Sequence, residues 1–404
     1  MSAVNAIGLA LLLLTALVAV PVGVLFVQLT AATLRREPQA SVPAPGSHVA
    51  SVDFAVLMPA HNEADGITAA IRAVQVQLGS QDRLLVVADN CTDATASVSR
   101  AAGAEVTERT DPERRGKGYA LDHGVRWLER TAPALVIIVD ADCIVAEGAL
   151  RNLVQQCVAT ARPVQALYLM HAPPGSGLGL RVAAFAWVVK NKLRPLGSAA
   201  LGWPCQLMGT GMAFPWRLIA TARLACGDLV EDMALGAAMA QVGAAPMFCP
   251  QALVSSAFPS DTAGARAQRT RWEHGHMSML AGTGPRLLGQ ALMRRDAALA
   301  ALALDLMVPP LAALALVLVA LLAFDFFWWS FSTDPFPFAL AALAAVLFGM
   351  AVLAAWWHSG RHLVRPRELV GLPWYVAAKV PMYIRLFTRR QIEWVRTKRD
   401  DPRI

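Results

Sequence analysis

From residue 1 to residue 34 the chain carries no Lys, Arg, Asp or Glu, and residues 6–29 are almost continuously apolar. A helix needs about 20 such residues to cross a hydrocarbon core about 30 Å thick, so this stretch is long enough to span a bilayer. Two further runs meet the same requirement: residues 297–324, broken by Asp305 and by Pro309 and Pro310, and residues 336–357. Composition agrees, with 56% of the 404 residues hydrophobic and 16% charged, against about 25% charged in soluble domains. Three transmembrane helices around a polar middle are expected. A cleaved signal peptide would open on a basic segment and have a shorter apolar core. No basic residue precedes Arg35, so residues 1–34 are expected to remain as a permanent anchor.

The basic residues set an expected orientation. Arg35 and Arg36 follow the first run, Arg294 and Arg295 precede the second, and residues 361–403 hold much of the +7 net charge, while 325–335 contains no Lys or Arg. Lys and Arg concentrate on the cytoplasmic side of membrane proteins. That places the N-terminus outside, and residues 52–284 and 361–404 in the cytosol, at a bacterial inner membrane. Lys379 and Pro381 argue against a fourth span, so 361–404 reads as an interfacial helix and a basic tail that attracts anionic membrane lipid. No nucleic-acid recognition motif accompanies this charge, and no nucleic-acid partner is expected. The six cysteines all fall in the cytosolic segment without a C-x-x-C pair, which favours reduced thiols over a structural zinc site. A transporter would need ionisable residues within several packed spans, whereas Asp305 stands nearly alone.

Residues 35–51, rich in Pro, Ala and Ser, form a linker. Beyond it, short apolar runs at 54–58, 84–88 and 135–139 alternate with helix-like segments at 67–78, 94–102 and 119–129. That alternation predicts a Rossmann-like α/β domain with a mostly parallel sheet, in which ligands bind beyond the carboxyl ends of the strands.

The first strand ends in Pro59, His61, Asn62 and Glu63, the second in Asp89 and Asp93, the third in Asp140 and Asp142. One acid after a strand is ordinarily a turn or capping residue. Three successive strands delivering acids to one rim are harder to explain that way. Asp140 and Asp142, two residues apart behind an apolar strand, are suited to a hard divalent cation, because Mg²⁺ typically takes one or two carboxylates plus substrate phosphates.

Before the third strand, Arg114-Arg115-Gly116-Lys117-Gly118 opens a helix whose N-terminus and lysine can meet an anionic group. The spacing of a P-loop is missing. Gly209, Thr210 and Gly211 form a flexible loop, and Glu231 and Asp232 open another helix, a place where acids are also favoured by the helix dipole alone. Gln268, Arg271 and Trp272 share a helix face. There a guanidinium suits phosphate and an indole suits a sugar ring, although an amphipathic helix at the membrane surface has the same pattern.

In this order the motifs resemble family 2 glycosyltransferases of the GT-A fold, especially the membrane-bound polysaccharide synthase branch that includes cellulose and hyaluronan synthases. The resemblance runs from Phe54 to about Leu280 and on to the flanking spans. It implies an inverting transferase that uses Mg²⁺ or Mn²⁺ and a nucleotide sugar, with a UDP-sugar as the expected donor. Pro59, His61, Asn62, Glu63 and Asp89 would shape the nucleotide pocket, with Lys117 and Asp140 on the nucleotide and Asp142 on the metal. Gly209 to Gly211 would face the acceptor, and Asp232, with Glu231 as the lesser candidate, would be the general base. Gln268, Arg271 and Trp272 would bind the diphosphate and the acceptor end. The acceptor implied is a growing polysaccharide; the alternative is a single addition to a lipid or lipid-linked acceptor. Two departures stand out. Val230 replaces the Thr that often precedes the Glu-Asp pair, and three spans are fewer than the larger synthases use, which leaves room for an export partner or a homo-oligomer.

Overall fold

The computed structural model describes residues 3–34, 52–226, 230–258, 262–332 and 334–388, with backbone only at 3–5, 262–269, 271 and 386–388. The linker 35–51, with Arg35 and Arg36, and the end of the basic tail from 389 lie outside the described residues. The chain divides into two compact units. One comprises residues 1–36, 175–202 and 276–391; the other comprises 37–174, 203–275 and 392–404. The α/β segment expected at 52–284 is therefore interrupted, because residues 175–202 group with the apolar helices.

The second unit is built on eight strands: β1 (Phe54–Ala60), β2 (Arg83–Asp89), β3 (Glu105–Arg109), β4 (Leu135–Ile138), β5 (Ile144–Val145), β6 (Val164–His171), β7 (Met212–Pro215) and β8 (Met247–Ala257). They lie in the order β3-β2-β1-β4-β7-β6-β8-β5. The β3, β2, β1 and β4 ladder is parallel, β7 runs antiparallel to β4 and β6, and β8 is again parallel to β6. This is the mostly parallel sheet expected. Helices α1 (Ile67–Gln75), α2 (Thr95–Ala101), α3 (Lys117–Leu128) and α4 (Ala149–Thr160) connect strands, α5 (Glu231–Gln241) precedes β8, and α6 (Thr262–Arg294) follows it.

Strand alternation explains how α3 is seated. Ala55 and Leu57 of β1, Leu85 and Val87 of β2, and Val136 and Ile138 of β4 project from one sheet face and meet Leu121, Val125 and Leu128 of α3. Gly124 allows the close approach, since a Cβ there would run into Leu57 and would lie 2.9 Å from Val87 Cγ2. At its first turn, a Cβ on Gly118 would lie 2.5 Å from the Leu224 carbonyl oxygen. Both contacts fix where Lys117, the first residue of α3, emerges. Register sets the rim: Ala60 at the end of β1 lies opposite Ala88 near the end of β2, while β4 stops at Ile138 opposite Leu57, so the chain after β4 turns to Asp140 beside the last residues of β1.

The other unit contains three helices long and apolar enough to cross a membrane, Ala6–Leu34, Leu311–Ser332 and Phe336–Ser359. Residues 297–324 do not form one span. Pro309 and Pro310 lack amide protons, and the run splits into Ala297–Leu306 and Leu311–Ser332. Asp325, expected in a connector, lies inside the second of these, fully buried, where it accepts a hydrogen bond from Thr15 Oγ1 at 2.8 Å. A second polar knot surrounds Asp305. Arg194 pairs with its carboxylate at 2.7 Å, and Gln28 Nε2 donates to it at 2.7 Å and to Ser198 Oγ at 2.9 Å. Buried charges in apolar surroundings need such partners.

Candidate active site

The loops after β1 and β2 are stitched to each other. Asn62, with φ of 55°, accepts from Thr92 N through Oδ1 at 2.7 Å and donates from Nδ2 to Thr92 Oγ1 at 3.1 Å. His61 Nδ1 lies 2.7 Å from the Asp89 carbonyl, and Glu63 N donates to Thr95 Oγ1 at 2.8 Å. Pro59 sits within β1. The sequence-derived group of Pro59, His61, Asn62, Glu63 and Asp89 is thus gathered at one rim, and Asn62 is engaged in holding the two loops together.

Asp89 is buried, at 6% exposure, and its Oδ1 accepts from Arg109 at 2.6 Å and from Asn90 Nδ2 at 3.1 Å. Arg109, its register partner across the β2–β3 ladder, also covers the Tyr119 ring at 5.5 Å. Sequence reading missed Arg109, because β3 is short and only half-buried, with no apolar run to mark it. The parallel register itself is the signal that finds it.

Lys117 occupies the centre of the site. Its ammonium pairs with Asp140 and donates to the Gly209 carbonyl at 2.8 Å. Burial alone would lower its pKa, but Asp140, Glu231 and Asp232 outweigh that and hold it above the ordinary lysine range. Asp140 is itself fixed through its amide, which donates to Thr210 Oγ1 at 3.0 Å.

Asp140, Asp142 and Cys143 place one candidate ligand atom each within 4.8 Å of one another. Cys143 is fully buried and its thiol is pushed up to about 12, chiefly by burial. It therefore remains protonated and donates to Asp142 Oδ1 at 3.3 Å. What is left for a cation is a pair of carboxylates, which fits Mg²⁺ or Mn²⁺ and not a thiophilic ion.

The glycine loop expected to be flexible is instead pinned. Thr210 is fully buried, Gln165 Nε2 donates to its carbonyl at 2.9 Å, Gln165 Oε1 accepts from Met208 N at 2.8 Å, and Ala166 N donates to Gly211 O at 2.8 Å. Gly209 and Gly211 have φ of 91° and 65°, a left-handed region that favours glycine. Gln165, another residue the sequence reading missed, serves as the clamp; its signal would have been a lone amide in a buried strand.

Glu231 and Asp232 form the first turn of α5. Asp232 Oδ1 accepts from Met233 N at 2.9 Å, while Oδ2 lies 3.5 Å from the place a Cβ on Gly209 would take. Asp232 therefore faces the loop that Lys117 also reaches. A small pocket lined by Gly118, Leu224, Cys226 and Leu235 opens beside both acids. Glu231 is pushed up to about 7, by burial first and by Asp232 second, with Lys117 opposing. Gln268, Arg271 and Trp272 all lie on α6, but the side chains of Gln268 and Arg271 are outside the described residues.

A mostly parallel sheet whose strand ends collect an Asp-x-Asp pair, a lysine at a helix start and an Glu-Asp pair defines a GT-A glycosyltransferase. The family model for "Glycosyltransferase like family 2" matches residues 52–275, and the chain belongs to that family. No curated protein matches. Solved structures similar to it include a mycobacterial protein, 23% identical over 57% of this chain and 75% of that one, with a TM-score of 0.39. Another is the mannosyltransferase PcManGT from Pyrobaculum calidifontis in complex with GDP-Man and Mn²⁺, 20% identical over 85% and 98%, with a TM-score of 0.47. A third is glucosyl-3-phosphoglycerate synthase from Mycobacterium tuberculosis in complex with Mn²⁺, UDP and phosphoglyceric acid, 22% identical over 56% and 79%, with a TM-score of 0.37.

Proposed function

We propose that this chain is an inverting hexosyltransferase that moves a sugar from a UDP-sugar to a growing polysaccharide at the bacterial inner membrane. The observation that carries the reading is the meeting of Lys117, Asp140, the Gly209 carbonyl and Asp232 within one site. Asp142 with Asp140 would hold Mg²⁺ or Mn²⁺, which when bound neutralises charge on the leaving diphosphate. Lys117, and Arg271 from α6, supply further positive charge to that leaving group. Asp232 takes the proton of the attacking acceptor hydroxyl, and Trp272 with the Gly209–Gly211 loop holds the acceptor in line with the anomeric carbon. One displacement inverts that centre, so an α-linked donor gives a β-linked product. His61, Glu63 and Asp89 line the nucleotide side.

The second reading is a single addition to a lipid or lipid-linked acceptor, favoured by the small helical unit, with three candidate spans among the described residues. The deciding experiment is UDP release from UDP-glucose, UDP-N-acetylglucosamine, UDP-galactose and UDP-glucuronate, with and without Mn²⁺, followed by sizing of the product. A ladder of long products supports the polymerising reading, and one added sugar supports the second. No UDP release from any donor sinks both.

A further inference from the structure

We infer that Gly275 and Val230 form the contact that sets the helix of Arg271 and Trp272 against the general base, which makes Gly275 a positioning residue for transfer. The inference rests on the roles proposed above for Asp232, Arg271 and Trp272. A Cβ built on Gly275 would lie 2.5 Å from Val230 Cγ1, 3.2 Å from Cγ2 and 3.4 Å from Cβ. Real side chains do not approach that closely, so α6 reaches Val230 only because residue 275 has no side chain. Gly275 follows Arg271 by four residues and Trp272 by three, which puts all three on one helix face.

The other partner is fixed as firmly. Val230 immediately precedes Glu231 and Asp232, and its carbonyl accepts from Ala234 N at 3.2 Å in the first turn of α5. A β-branched side chain is stiff about χ1, so Val230 cannot swing aside as a long chain would. Movement of α6 at Gly275 is therefore passed directly to the turn that carries Asp232. Val230 thus has a mechanical role: its methyl is the surface against which α6 rests.

The test is a set of three variants in the full chain, Gly275→Ala, Val230→Ala and the double variant, each measured for UDP release, UDP affinity and melting temperature. Gly275→Ala is expected to lower kcat by about 10- to 100-fold, the scale of an ångström-sized misplacement, with a smaller loss of UDP affinity through Arg271, which rides on the same helix. Val230→Ala removes both atoms in the way, so the double variant is expected to recover to within about threefold of Val230→Ala alone, the coupling a double-mutant cycle detects. Should Gly275→Ala fail to fold, the double variant must still fold and turn over. Wild-type turnover in Gly275→Ala, or a double variant as impaired as the single one, overturns the inference while leaving the proposed function standing. A wild-type chain that releases no UDP removes both.

Discussion

Replacing Lys117 with Met removes a cation that faces three carboxylates, Asp140, Glu231 and Asp232, and the cost follows from the geometry. The lysine side chain is 20% exposed and that of Asp140 is 30% exposed, so the pair is only partly shielded from water. Breaking a fully buried pair costs about 3–5 kcal/mol, whereas a charge-assisted hydrogen bond is worth about 1.5–3 kcal/mol. Partial exposure moves the estimate to the lower range, about 2 kcal/mol, with the bond to Gly209 O included. For a domain of this size that is a fall of about 4–8 °C in melting temperature. Lys117 also competes with a cation for Asp140. Mn²⁺ should therefore raise the melting temperature of Lys117→Met more than that of the wild type, because it replaces a lost charge in one and contends with an ammonium in the other. Thermal melting in detergent, with and without Mn²⁺, reads both effects, and Asp142→Asn should abolish the Mn²⁺ increment. Equal Mn²⁺ increments in Lys117→Met and wild type would refute this account of the site's charge balance.

Asp232→Asn should keep donor binding nearly intact and abolish transfer, as measured by UDP binding and UDP release; normal turnover would remove Asp232 from the role of base. Glu231 has a pKa in the folded chain raised from 4.5 to about 7. Its contribution to stability is therefore lost as pH rises from about 4.5 to 7, by up to about 3 kcal/mol. Glu231→Gln should melt higher than wild type at pH 8 and show no such gain near pH 4.5. Gly211→Ala forces an L side chain into φ of 65° and puts a Cβ 2.7 Å from Ala166 Cβ, so a loss of about 2–4 kcal/mol is expected from strain and overpacking together, read by thermal melting.

Three of the eight strands were readable from the sequence. β1, β2 and β4 are buried on both faces and announce themselves as continuous apolar runs, and the helices between them begin and end within a few residues of where their patterns suggest. β3 and β5 to β8 were not found. β3 is only half-buried, β5 has two residues, β7 has four, and β8 carries Pro250 and a register shift opposite Ala166 and Leu167. Such strands are held by their neighbours more than by their own pattern. The same division runs through the site. Asp140, Lys117 and Asp232 stood out by position, whereas Arg109 and Gln165 gain meaning only from the strands beside them. In the helical unit, hydropathy marks three helices long and apolar enough to cross a membrane, but the second begins only at Leu311, and hydropathy could not tell that Asp325 lies within it.

The contacts of Thr15 with Asp325 and of Gln28 with Asp305 bear on how this enzyme can be shortened. A chain begun after residue 34, in the hope of a more tractable fragment, would keep both aspartates while discarding the hydroxyl and the amide that accommodate them. Asp325 would then lose the hydrogen bond from Thr15, and Asp305 would keep Arg194 but lose Gln28. The leading helix is thus no mere tether but a structural complement to segments 277 and 310 residues later, and trimming it is expected to destabilise the helical unit before it harms chemistry.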